Sequence, residues 1–172
     1  MIDALTGLAS RRRFAQFVGQ DWRRADDEQS SIAVMLLDVD FFDLYNQTHG
    51  REAGDACLRR IGGIIGGRVK RSSDLVARYD ADCFAVVLAG ADAAGVTGVA
   101  EWLRSEIESH MIAHGASSVS EYVTVSVGFS VMTPRAGARA EFLVASAETA
   151  LGVAKELGRN AVVAGSSVAR ST

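Results

Sequence analysis

Apolar residues recur along the chain with two periods. Over residues 11–25, Phe14, Phe17, Val18 and Trp22 fall at helical spacing, which predicts an amphipathic helix. Residues 31–38 run from Ile32 to Leu37 without a polar break, the pattern of a strand buried on both faces. That run ends in Asp38-Val39-Asp40, carboxylates at a strand's C-terminal edge. A helix pair follows, its second member predicted over 53–69 from Leu58, Ile61 and Ile65. Residues 75–79 and 83–88 predict two strands joined by a very short turn. Residues 91–110 place Val96, Val99, Leu103 and Ile107 on one helical face, and 121–132 alternate through Val123, Val125, Val127 and Phe129. Residues 142–155 are again helical, with Gly158 placed as a C-terminal cap, and 161–163 give a short last strand. The order helix, β, αα, β, β, α, β, α, β is mixed α/β with a hairpin inside it, which argues against a doubly wound parallel sheet.

Gly62, Gly63, Gly66 and Gly67 interrupt the second helix of the pair, each at a cost of about 1 kcal/mol relative to Ala. Close packing against a neighbour is the expected reason. A phosphate-binding loop is disfavoured, since no strand immediately precedes these glycines and no lysine follows at the required spacing.

A length of 172 residues suits one domain with one core. The composition, 48% apolar and 23% charged with a net charge of −3, is that of a globular domain and shows no basic stripe for nucleic acid. The one basic run, Arg11-Arg12-Arg13, reads as a solvated helix face. Cys57 and Cys83 have no His or Cys partner at zinc-ligand spacing, so a reduced, cytoplasmic setting is expected. No stretch has the apolar length of a transmembrane helix, and no membrane contact is expected from this segment. One domain over 1–165 is expected, with a disordered Ser/Ala/Thr-rich tail over 166–172, cut from a longer multidomain protein.

Asp3-Ala4-Leu5-Thr6-Gly7-Leu8 followed by Arg11-Arg12 resembles the opening of bacterial GGDEF domains, the diguanylate cyclases. The likeness continues through Asp38-Val39-Asp40, Phe42, Asn46, Gly54-Asp55, Arg78-Tyr79, Thr124-Val125-Ser126-Val127-Gly128, Ala150-Leu151, Ala154-Lys155 and Gly158-Arg159-Asn160. It implies an α/β (α+β) fold, a central, mostly antiparallel sheet of about five strands wrapped by helices. It also implies a reaction that joins two GTP molecules held by a homodimer, with Mg²⁺ stabilising the attacking and leaving oxygens. By that resemblance Asp38, the Val39 carbonyl and Asp82 are the metal ligands, Asn46 and Asp55 read the guanine edge, and Lys155 and Arg159 contact the triphosphate. The four-residue separation of the two cations is expected to put both on one side of a helix end.

The signature loop departs from the family pattern. It reads Asp80-Ala81-Asp82-Cys83-Phe84, and three of its five positions have changed. If Asp80 and Ala81 take the left-handed conformation that a glycine pair takes, Ala81 costs about 1–2 kcal/mol. Cys83 replaces the second acid, and a thiol is a poor Mg²⁺ ligand. Asp43 stands where the family has a lysine near the phosphates. By contrast, Arg71-Ser72-Ser73-Asp74 keeps the R-x-x-D of the family's inhibitory cyclic di-GMP site, with Arg104 a weaker candidate for a third contact. The expectation is a catalytically inactive domain that receives cyclic di-GMP. The alternatives are a GTP-binding module controlling an attached phosphodiesterase or sensor domain, a weak cyclase, and a dimerisation scaffold.

Overall fold

Strand β1 (Ile32–Val39) organises the molecule. In the computed structural model, which describes residues 1–166, it is the middle strand of a five-stranded sheet in the order β2-β3-β1-β4-β5. Its residues Ile32 to Leu37 are each at most 1% exposed, because helices cover both faces of the sheet and leave no solvent side for a polar residue. Strands β2 (Leu75–Asp80) and β3 (Cys83–Ala89) form the predicted hairpin. Strand β4 (Val125–Met132) flanks β1 on the other side, antiparallel like β3. Only β5 (Val162–Ala164) runs parallel to its neighbour β4, and helix α5 (Ala140–Glu156) makes the crossover that a parallel pair requires.

Helix α1 (Arg11–Glu28) packs with α5 on one face, where Phe14, Val18, Leu143 and Ala147 meet Val34, Leu36 and Ala85. Helices α2 (Phe42–His49), α3 (Arg51–Arg68) and α4 (Ala93–Ser109) cover the other. There Tyr45, Ile61 and Leu103 meet Met35, Phe84 and Phe129. The helix pair breaks at Gly50, whose φ of +88° no helix tolerates. Ser10 and Asp92 cap α1 and α4 by accepting from the backbone N–H of Arg13 and Gly95.

Three expectations change. Close packing accounts for Gly62, where an added Cβ would lie 3.2 Å from Leu8, but Gly63 and Gly67 have nothing within 4 Å and nothing in the structure explains them. Residues 121–124 lie outside β4; Val123 N–H donates to Ile112 and Tyr122 bridges Ala113, so 121–123 pair with the loop after α4, while the Thr124 carbonyl accepts from the Asp40 N–H. Of the expected tail, the Ser166 carbonyl accepts from Ser146 Oγ, and 167–172 lie outside the described residues. Among the described residues, no helix is long and apolar enough to cross a membrane.

Helix α5 packs closely on the sheet at Gly128 of β4, where an added Cβ would lie 2.1 Å from Leu151 N and 2.6 Å from Ala147 O. Backbone cannot rotate aside as a side chain can. Gly128→Ala should therefore destabilise the fold by about 1–3 kcal/mol, seen as a lower urea midpoint at unchanged m-value.

Candidate functional site

At the C-terminal end of β1 the chain brings together the β2–β3 turn, the start of α2 and the end of α5. The Val39 N–H donates to the Asp82 carbonyl at 3.0 Å, which fastens the turn to the strand end. Asp38 pairs in register with Cys83 on one side and Ser126 on the other. Lys155, in the last turn of α5, reaches Asp38 at 3.2 Å. Asp40, 2% exposed, accepts from Thr124 Oγ1, Ser126 Oγ and the Asn160 N–H.

The site is short of positive charge. Burial and the neighbouring Asp82 carboxylate push Asp38 up to about 6, against the pull of Lys155. Burial also raises Asp82, with Asp43 and Asp80 adding to the rise. Asp38 and Asp82 are hard oxygen donors whose mutual repulsion a bound divalent cation would relieve. Cys83 is different in kind. It is 5% exposed, its thiol contacts the Phe84 carbonyl at 3.8 Å, and burial together with Asp38 and Asp82 holds it protonated. The residues thus fit one hard cation at Asp38 and Asp82, and Cys83 supplies no anionic ligand for a second. Among the described residues no group of three or more His, Cys, Asp or Glu side chains could hold a metal by itself.

On the far side of α2, Asn46 turns its Oδ1 against Gly54, where an added Cβ would lie 1.8 Å away. That oxygen is buried without a hydrogen-bond partner, a cost of about 1–3 kcal/mol that a ligand donor would recover. Asp55, the next residue of α3, is half-buried. Arg159 is not on the helix. Helix α5 ends at Glu156, Gly158 takes φ +110°, and Arg159 and Asn160 follow at +66° and +45°. The Arg159 guanidinium lies 4.4 Å from the Phe41 ring centroid, whereas Lys155 is paired with Asp38.

The turn also differs from expectation. Asp80 pairs with Cys83, so the central residues are Ala81 and Asp82, and the register shifts between Arg78 and Asp80. None of Asp80, Ala81 and Asp82 has positive φ, and the expected strain at Ala81 is absent. Hydrogen bonds shape the turn instead: the Ala81 N–H donates to Asp80 Oδ1, and Arg78 donates twice to the Ala81 carbonyl. Arg78 is itself paired to Asp3, which also accepts from Thr6.

Arg71 and Asp74 lie at the other end of β3. Arg71 donates to both Asp74 oxygens, at 2.7 and 3.0 Å, and to the Ala89 carbonyl, and Asp74 accepts from the Ala89 N–H. Arg104 does not join them. It is tied to Glu101, Glu108 and Asn160, and Asn160 sits with Asp40 at the opposite end of β1 from Ala89. An eight-residue strand makes that separation roughly 20–25 Å.

Sequence reasoning passed over Asp40 as an organiser, and passed over Phe41 and His114 altogether. Asp40 had a signal, the alternation Asp38-Val39-Asp40, which puts both carboxylates on one side of the strand end. Phe41 and His114 had none.

The family model described as diguanylate cyclase, GGDEF domain, matches residues 1–161. The chain is 33% identical over 163 residues to the response regulator PleD of Caulobacter vibrioides, covering 94% of this chain and 35% of PleD. It is 31% identical over 161 residues to the probable diguanylate cyclase DgcT of Escherichia coli, again covering 94% of this chain and 35% of that protein. The chain thus spans about a third of the length of these relatives. Among solved structures, the GGDEF domain of DgcB from Caulobacter crescentus in complex with c-di-GMP superposes with a TM-score of 0.85 at 30% identity, covering 95% of this chain and 92% of that one.

The raised Asp38 carboxyl has a thermal consequence. A folded-state pKa above the unfolded value favours folding fully only below the unfolded value, and that stability is lost as pH rises through about 6. Asp38→Asn should therefore raise Tm at pH 7.5 by the equivalent of about 1–3 kcal/mol. The gain should shrink to near zero at about pH 4 in a pH series of thermal melts, where Asp38 is protonated in both states.

Proposed function

Because the chain belongs to the diguanylate cyclase GGDEF-domain family, we propose that it is a cyclic di-GMP receptor domain whose own capacity to join two GTP molecules is impaired. The contrast between the two ends of β3 carries this reading. At Cys83 a buried, neutral thiol stands in the place of the motif's second acid. Near Ala89 the Arg71–Asp74 pair is already assembled, with the Arg71 side chain 60% exposed and that of Asp74 only 3%. Arg71 offers the guanidinium donors that grip a guanine edge or a phosphate. A ligand that engages Asp74 must first draw Arg71 off it. The cyclic di-GMP bound to the DgcB domain supports the choice of ligand.

A second reading, that the chain also holds GTP, is favoured by the unpartnered Asn46 oxygen. In this reading Asn46 and Asp55 take the guanine edge, while Lys155 and Arg159 take the phosphates. Asp38, Asp82 and the Val39 carbonyl would hold Mg²⁺, which when bound neutralises phosphate charge. Lys155 must then exchange Asp38 for a phosphate, and Asp43 opposes the approach of the same anion. These features favour holding the nucleotide over turning it over, and they suit a module that reports GTP to an attached domain.

Calorimetry should detect cyclic di-GMP binding that Arg71→Ala weakens by about tenfold or more; equal binding by parent and variant would sink the receptor reading. In product chromatography with GTP and Mg²⁺ or Mn²⁺, Cys83→Glu should raise cyclic di-GMP formation by about 10–100-fold over the parent. A parent already as fast as the variant would remove the claim of impaired turnover.

A further inference from the structure

His114 lies in the loop between α4 and β4 and is 0% exposed. Its Nε2 is 3.0 Å from the Phe41 carbonyl and its Nδ1 is 3.3 Å from the Ala116 N–H. A carbonyl can only accept and an N–H can only donate, so the ring is neutral and carries its proton on Nε2. The His114 carbonyl in turn accepts from His49 Nε2 at 2.8 Å. Phe41 is the N-cap of α2 and His49 is its last residue. One buried residue therefore holds both ends of the same helix, one with its side chain and the other with its backbone.

That helix needs holding. It has eight residues, too few to persist on hydrogen bonding alone. Its N-cap makes no side-chain capping bond and sits at φ +52°, ψ +39°, a region that residues with side chains rarely adopt. The Phe41 carbonyl closes the first turn by accepting from the Tyr45 N–H, while His114 fixes the same oxygen from outside. Tyr45 is wedged between the two histidine rings, 4.6 Å from His49 and edge-on to His114 at 5.4 Å.

We infer that His114, as its neutral Nε2–H tautomer, is a positioning residue that brackets α2 and thereby sets the base and phosphate contacts of the nucleotide site. Two contacts depend on the bracket. Asn46 lies on α2 between the two anchors, and the Phe41 ring supports the Arg159 guanidinium at 4.4 Å. The functional half of the inference rests on reading Asn46 and Arg159 as GTP contacts; the structural half does not.

The test uses the full chain with His114→Leu, His114→Gln and His49→Ala. Glutamine can place an amide N–H near the Nε2 position, whereas leucine fills the space without a donor. In ligand-free hydrogen exchange, His114→Leu should speed exchange of the α2 amides by about tenfold or more and leave α5 unchanged. His114→Gln should restore most of the protection. His49→Ala, which alters an exposed side chain, should loosen only the C-terminal turn of α2. Nitrogen NMR of the parent should show Nε2 protonated and Nδ1 bare. Calorimetry with GTP and Mg²⁺ should show about a tenfold weakening in His114→Leu and rescue in His114→Gln, with cyclic di-GMP binding unchanged in both. Unaltered α2 exchange in His114→Leu, or an imidazole protonated on Nδ1, would overturn the bracket. If the parent fails to bind GTP, the nucleotide reading falls and the exchange and tautomer results still decide the bracket. If His114→Leu loosens α2 but binds GTP as tightly as the parent, the positioning role is overturned.

Discussion

The site depends on one buried carboxylate. Asp40, just beyond β1, is closed off from solvent and accepts three hydrogen bonds, two from hydroxyls on the β4 side and one from the backbone of Asn160. An isolated buried charge would be prohibitive, so each donor is part of the condition for folding. Those donors fix two otherwise strained stretches. Phe41 follows Asp40 directly in the left-handed region, and Arg159 precedes Asn160 in the same region. The cation over the Phe41 ring, the direction in which α2 departs and the end of the α5–β5 loop are all set from this point.

Around that anchor the charge balance is unfavourable for an anion. Asp82 bears on Asp38, and Asp43 and Asp80 bear on Asp82, while Lys155 pulls against the rise at both Asp38 and Asp82. Cys83 adds no carboxylate to this group, because burial and the neighbouring acids keep its thiol protonated. A triphosphate without a counter-cation meets repulsion here. With one divalent cation, Asp38 and Asp82 change from an obstacle into a cradle.

Much of this architecture was legible in the sequence, for local reasons. The unbroken run from Ile32 to Leu37 could only be a strand covered on both sides, and Val96, Leu103 and Ile107 could only be one face of a helix. What was not legible depends on distance along the chain. His114 meets Phe41 across 73 positions and Asn160 meets Asp40 across 120, and no local period records such pairs. Arg159 was misplaced for a subtler reason. Its spacing from Lys155 implies a shared helix side only while the helix lasts, and the left-handed residues after Leu157 cancel that implication. The sequence could bound the cost of a glycine-pair conformation at Ala81 but not name the alternative geometry, which Arg78 and Asp80 define by hydrogen bonds.

That turn has an evolutionary corollary. A loop held in a glycine-only conformation is a ratchet, since any departure from glycine is penalised at once and must be compensated before the next step. The loop around Ala81 and Asp82 sits in ordinary backbone territory, with its shape guaranteed from outside by Arg78 and, behind it, Asp3. Ala81 and Asp82 can therefore be exchanged without backbone strain, whereas Asp80 also holds the turn through its side chain. In such a loop neither a departure from a glycine pair nor a return to one is blocked by backbone strain.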